Sequence, residues 1–174
     1  MPSAKALRDA IRDVVDFPKP GIVFKDITPI LADAELFRSS ISLMAELVAD
    51  QKVDKVIGID ARGFIFGAAL ADRLGTGFVP LRKAGKLPWE THQQSYSLEY
   101  GEATIEIHKD AIQAGEKVLL VDDLLATGGT AAAAQQLIGE LKGELLGLIV
   151  LVELVFLDGR KKLGNTPVHS ILQY

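Results

Sequence analysis

Two uninterrupted apolar runs constrain this chain more than anything else in it. Val118 to Val121 and Leu145 to Val152 contain no charged residue and no period-two alternation. A strand with one wet face alternates, whereas a strand covered by helices on both faces need not, and parallel sheets are where such strands occur. The longer run contains Gly147 and falls far short of the ~20 apolar residues of a membrane span. Between such runs the apolar spacing turns helical, so the chain is expected to be α/β with a mostly parallel sheet.

Strands are predicted at Lys55–Ile59, Gly77–Leu81, Lys117–Val121 and Leu145–Leu154, with His169–Gln173 as a closing edge. Helices are predicted at about Phe64–Leu74, Gly129–Leu141 and Ala34–Asp50, the last on the stripe Phe37, Ile41, Met44 and Val48. A first helix capped by Ser3 would place Leu7, Ile11, Val14 and Val15 on one face. Pro18 and Pro20 end it, and Phe17 to Pro29 reads as an ordered extended loop. Arg82 to Gln94 reads as a long polar loop, either a functional flap or disordered, on which Trp89 is an exposed contact or a core anchor. Tyr96–Tyr100 and Ala103–His108 form a hairpin turning at Gly101, with Thr104, Glu106 and His108 alternating against Ile105 and Ile107.

Composition narrows the function classes. Lys+Arg 19 against Asp+Glu 23 leaves a net charge of −4, which argues against a general nucleic-acid binder. A chain of 174 residues, 48% hydrophobic and 24% charged, suits one domain with a sizeable core. Zero cysteines exclude disulfides, a thiol nucleophile and cysteine-based metal sites, and fit a reducing, cytoplasmic setting. No apolar export segment is expected at Met1–Asp16, which mixes Lys5, Arg8, Asp9, Arg12 and Asp13 with apolar residues. His92, His108 and His169 are scattered without metal-ligand spacing, and no G-x-S-x-G elbow occurs.

Chemistry concentrates in Val118-Leu-Leu-Val-Asp-Asp-Leu-Leu-Ala-Thr-Gly-Gly-Thr130. A buried strand runs into Asp122 and Asp123, and Thr127, Gly128, Gly129 and Thr130 follow where a helix must begin. Glycines let backbone N–H groups approach a phosphate, and the helix N-terminus adds positive dipole. Carboxylates beside such a cradle can accept hydrogen bonds from vicinal hydroxyls, as on a ribose 5-phosphate. The alternative is a tight strand-to-helix turn capped by Thr with the Asp pair solvated at a strand end, which suits a bare T-G-G-T better than one preceded by an apolar strand and both acids. The segment is neither a Walker A loop nor a G-x-G-x-x-G fingerprint. After the first core strand, Asp60-Ala-Arg-Gly63 puts Arg62 at a helix start, where a cation is disfavoured unless it serves a ligand. Arg82, Lys83 and Lys86 form a cationic cluster on a glycine-containing loop, a solvated flap if read alone.

The segment resembles the phosphoribosyl-pyrophosphate (PRPP) motif of type I phosphoribosyltransferases at every position. Phe17 to Pro29 resembles the base-binding segment of the adenine-using members. Arg82-Lys-Ala-Gly-Lys-Leu-Pro88 and Ser95-Tyr-Ser-Leu-Glu-Tyr-Gly101 resemble their flexible loop and hairpin. The resemblance spans nearly the whole chain. It implies a single domain over 1–174, with a hood at about 1–33 and a core at about 34–174. It assigns Ala126, Thr127, Gly128, Gly129 and Thr130 to the 5-phosphate, and Asp122 and Asp123 to the ribose hydroxyls. Asp60 and Arg62 fall to pyrophosphate, with Arg82, Lys83 and Lys86 as clamps. Adenine would meet the main chain of Val23 and Lys25, with Phe24 stacking and Leu154 lining the pocket. Many relatives carry Arg at the Lys25 position, but a backbone contact tolerates the change. Glu99 and Tyr100 would stand near the reacting ring, Glu99 assisting proton movement at the purine. These roles imply adenine plus PRPP giving AMP and pyrophosphate, Mg²⁺ carried mainly on the PRPP oxygens with no protein metal site, and a homodimer. A phosphoribosyltransferase for another base and a non-catalytic PRPP-sensing regulator remain as alternatives. No DNA-binding domain is expected beside the core.

Overall fold

The computed structural model describes residues 3–98 and 101–174. The chain forms two compact units meeting in sequence at Leu43 and Met44. Among the described residues no helix is long and apolar enough to cross a membrane.

In the N-terminal unit, α1 (Ala4–Ala10) precedes an antiparallel ribbon of β1 (Arg12–Val15) and β2 (Val23–Asp26), paired from Arg12 with Asp26 to Val15 with Val23. The first helix is therefore shorter than its periodicity suggests. Ile11 is already extended, and Ser3 makes no side-chain cap bond. Val14 and Val15 lie in a strand because a pairing partner arrives from across the turn, and tertiary pairing overrides a weak local helical pattern. That turn is built by Asp16 Oδ1 accepting the Gly21 N–H at 2.7 Å, with Gly21 at φ +87°. The extended segment after Phe17 thus contains β2 and then α2 (Thr28–Ala32), with Pro29 in its first turn. Both Asp26 oxygens cap Thr28, at 2.9 Å from its N–H and 2.9 Å from its hydroxyl. Asp33 starts α3 (Ala34–Glu46) by accepting the N–H groups of Glu35 and Leu36 at 2.9 Å each. That helix ends at Glu46, short of the expected Asp50.

The second unit is built on a seven-stranded sheet. Its strands are β3 (Lys55–Ile59), β4 (Gly77–Lys83), β5 (Thr91–Ser97), β6 (Glu102–His108), β7 (Lys117–Leu125), β8 (Glu144–Glu153) and β9 (Val168–Gln173). The order is β5-β6-β4-β3-β7-β8-β9, and β4, β3, β7, β8 and β9 run parallel. The β5–β6 hairpin pairs antiparallel along its length, but β6 meets β4 only through Arg82–Glu106 and Lys83–Ile105. Helix α4 (Arg62–Leu74) packs on β3, β4 and β7, and α5 (Gly129–Glu140) on β5, β6 and β8. Ile57, Leu81, Ile107, Leu120, Leu137 and Val150 are fully buried between these layers, each contributing about 1.5–3 kcal/mol of burial. Trp89 is exposed, so it is not a core anchor. The Arg82–Gln94 segment is largely ordered by pairing: β4 runs through Lys83 and β5 starts at Thr91, leaving residues 84–90 as the turn.

Candidate active site

Loops at the carboxyl ends of parallel strands are where such sheets bind ligands. Asp60, Ala61 and Arg62 follow β3, and the Asp60–Ala61 peptide is cis. Ala126, Thr127 and Gly128 follow β7 and lead into α5. Gly128 has φ +80°, a conformation that glycine adopts without steric cost. Its missing Cβ also lets the loop lie directly on the Gly159 carbonyl oxygen.

Two cavities open here. One of ≈ 100 Å³ is walled by residues 126–130 with Asp122. The second, ≈ 280 Å³, is walled by Asp60, Arg62, Lys83, Tyr96, Asp122 and Asp123. Asp122, Leu124 and Thr130 line both, so a phosphate at the helix start and a charged group at the β3 loop would sit on one continuous ligand.

The two acids play different parts. Asp123 is buried and its Oδ2 lies 2.7 Å from Arg62 Nε, a charge-assisted contact that orients the guanidinium. Asp122 Oδ1 accepts the Asp123 N–H at 2.8 Å. Burial, then the neighbouring Asp123 charge, push the Asp122 carboxyl well above the ordinary aspartate value, only partly opposed by that N–H and by Arg62. A carboxyl so perturbed, facing a cleft, is a common sign of a functional site.

Opposite them, Arg82 Nε lies 3.3 Å and Lys86 Nζ 4.0 Å from Asp60 Oδ2. The Arg82 guanidinium also lies over the Phe64 ring, 5.9 Å from its centroid. Lys83 lines the larger cavity. Arg62, Arg82, Lys83 and Lys86 are thus gathered around the β3 loop. Leu154 follows β8, its N–H bonded to the Leu125 carbonyl at 2.9 Å, and lines neither cavity. In the N-terminal unit Val23, Phe24 and Lys25 lie on β2. Val23 is exposed, Phe24 packs edge-on against Phe17 at 5.2 Å, and Lys25 Nζ pairs with Asp13 at 2.6 Å. Glu99 and Tyr100 lie outside the described residues. Among those described, no group of three or more His, Asp or Glu side chains could hold a metal ion.

Three residues are added by the structure. The Thr130 hydroxyl donates to Tyr96 Oη at 3.0 Å, tying the hairpin to the 126–130 loop. Glu106, on the polar face of its strand by alternation, is 2% exposed. Gly159, in a 3₁₀ turn after β8, supports the same loop from behind. None carries a local sequence signal, because each acts through partners remote along the chain.

The phosphoribosyl transferase domain family matches residues 27–166. Adenine phosphoribosyltransferase of Anaeromyxobacter dehalogenans is 56% identical over 169 residues, covering 97% of this chain and 98% of that protein. Its counterpart in Trichlorobacter lovleyi is 54% identical over 168 residues, covering 97% and 98%. The crystal structure of adenine phosphoribosyltransferase from Thermoanaerobacter pseudethanolicus superposes with a TM-score of 0.96 at 50% identity, covering 99% of this chain and 100% of that one. The Saccharomyces cerevisiae enzyme, complexed with an imino-altritol bisphosphate and adenine, gives 0.93 at 45% identity, covering 97% and 98%.

Proposed function

The chain belongs to the phosphoribosyltransferase family, and from that premise we propose how its cleft works. It transfers the 5-phosphoribosyl group of PRPP to adenine, giving AMP and pyrophosphate in purine salvage. The observation that carries this reading is the loop 126–130 at the start of α5, opening beside Asp122 into the cavity that Arg62 and Lys83 face.

The 5-phosphate sits on the N–H groups of Ala126 to Thr130 and the Thr127 hydroxyl, where the helix start favours an anion. Asp122 and Asp123 accept the ribose hydroxyls. Pyrophosphate lies toward Asp60 and Arg62, with Arg82, Lys83 and Lys86 as counter-charges. Breaking the anomeric C–O bond builds positive charge on the ribose ring and negative charge on the departing pyrophosphate. The acids favour the first and the cations the second. Adenine N9 forms the new bond to the anomeric carbon as the bond to pyrophosphate breaks, and the proton the purine loses passes to the Glu99 carboxylate, the role assigned to it with Tyr100. The Val23 and Lys25 backbone reads the base, with Phe24 and Leu154 as apolar neighbours. Asp60, Asp122 and Asp123 are the carboxylates that line the larger cavity, and two of them already meet cations, Asp60 meeting Arg82 and Asp123 meeting Arg62. So thin a set suits Mg²⁺ that keeps most of its coordination on substrate oxygens. When bound, Mg²⁺ neutralises pyrophosphate charge. The working form is a cytoplasmic homodimer, each chain a single domain with a hood at about 1–33 and a core at about 34–174. Light scattering tests the dimer.

Base choice tests the reading. Adenine presents a 6-amino donor beside an N1 acceptor, and 6-oxopurines present the reverse. Two mismatched buried groups at ~1–3 kcal/mol each give about 10²–10⁴ of discrimination. Adenine should exceed hypoxanthine and guanine in kcat/KM by at least ~100-fold. Comparable kcat/KM on either 6-oxopurine would overturn the adenine assignment and leave the PRPP site standing.

A further inference from the structure

Glu106 is a buried carboxylate that the reaction as assigned does not use. It sits on β6 in register with Arg82 of β4 and Gln93 of β5. Oε1 accepts the N–H of Lys86 at 3.0 Å and of Leu87 at 2.8 Å. Oε2 accepts Gln93 Nε2 at 3.0 Å and, more weakly, the Thr91 hydroxyl at 3.4 Å. Burial pushes its pKa up, but the N–H groups of Leu87 and Gly85, the Gln93 amide and the N–H of Lys86 more than reverse this, so the carboxyl stays below the ordinary glutamate value. It is an anion held by donors.

Successive N–H groups converging on one oxygen are how a turn binds a free anion. Here the chain supplies its own. The turn so fixed is residues 84–90, and its Lys86 is held on both sides: its N–H by Glu106 and its C=O by Arg82 Nη1 at 3.3 Å. Arg82 in turn reaches Asp60 on the β3 loop. A continuous chain of contacts therefore runs from Glu106 through Lys86 and Arg82 to Asp60.

We propose that Glu106 is a positioning residue for pyrophosphate, fixing the 84–90 turn so that Arg82 and Lys86 stand over the β3 loop. The proposal rests on the transferase reading above. A buried leucine would fill the same space without desolvating a charge, and glutamine would turn an NH₂ toward one of the donor sets. Only a carboxylate accepts from both sides.

The test is a double-mutant cycle between Glu106→Gln and Lys86→Ala, read by pyrophosphate inhibition, KM for PRPP and KM for adenine. Glu106→Gln should raise the pyrophosphate inhibition constant and the PRPP KM roughly tenfold, leaving the adenine KM within about twofold. In the Lys86→Ala background the same change should have less than its full effect, the remainder being the share carried by Arg82. Full additivity, or unchanged pyrophosphate inhibition in folded Glu106→Gln, would overturn the proposal. Should Glu106→Gln not fold, Thr91→Val with Gln93→Ala removes both Oε2 donors from the hairpin strand. That pair should move the constants the same way by a smaller factor, and unchanged constants would equally overturn it. Wild-type enzyme inactive on adenine and PRPP would instead refute the parent reading.

Discussion

Replacing Gly159 by alanine adds one methyl group outside every motif, yet it should damage PRPP use. An alanine Cβ there would fall against the Ala126 carbonyl oxygen, well inside the 3.0 Å that real Cβ contacts keep, and 3.1 Å from Leu125 side-chain atoms. The main obstacle is backbone, which cannot rotate away. Either the 3₁₀ turn or the 126–130 loop must yield. The turn is anchored next door by Arg160, whose Nη2 lies 2.6 Å from Glu153 Oε2 and whose Nη1 donates to the Val168 carbonyl at 2.8 Å. Glu153 is itself buried and accepts from Ser170 at 2.7 Å. The loop therefore moves. Overpacking of this kind costs about 1–3 kcal/mol, and at ~2–4 °C per kcal/mol for a chain this long Tm should fall by roughly 2–12 °C. Relieving the clash needs a shift of roughly 0.5 Å or more, and ~1 Å can cost ~10²-fold, so kcat/KM for PRPP should fall by about 10- to 100-fold. The adenine KM should hardly change. Thermal melting and steady-state kinetics with each substrate varied check this. A folded Gly159→Ala enzyme with kcat/KM for PRPP within about twofold of wild type and an unshifted Tm would refute the argument.

Asp122→Asn should separate stability from turnover. A carboxyl whose folded pKa lies above its unfolded 3.8 stabilises fully below that pH and loses the contribution as pH rises through the folded value. The variant should therefore melt higher than wild type at pH 7, with the gap closing toward pH 4, while kcat/KM falls ~10²-fold or more; a lower Tm at pH 7 would refute the sign. With Asp123→Asn added, near-normal kcat/KM in a folded protein would remove both acids from the ribose. Alanine at Arg82, Lys83 and Lys86 should weaken PRPP more than adenine and weaken pyrophosphate inhibition in parallel; unchanged inhibition constants would return the cluster to a solvated surface role.

The strand, loop and helix start around residues 122–130 were readable because their demands are local. An apolar strand, two acids, and glycines where a helix must start each constrain the backbone within a few residues. The parallel strands β3, β7 and β8 were readable for the same reason, their apolar runs having no wet face. The N-terminal ribbon was not. Leu7, Ile11, Val14 and Val15 satisfy a helical stripe, and only the arrival of Val23 to Asp26 alongside makes a strand the better state for the last two.

The division runs along sequence distance. Local spacing set the fold class, the loop at residues 126–130 and the acids before it, since those requirements are met within one strand, one turn and one helix start. The support of that loop was decided only when the chain closed on itself. Gly159 stands far along the chain from Ala126, Tyr96 from Thr130, and Glu106 from the Lys86 N–H it holds. Alternation places Glu106 on a wet face; the 84–90 turn folding back makes that face dry, and a carboxylate surrounded by donors becomes a fixed part of the site.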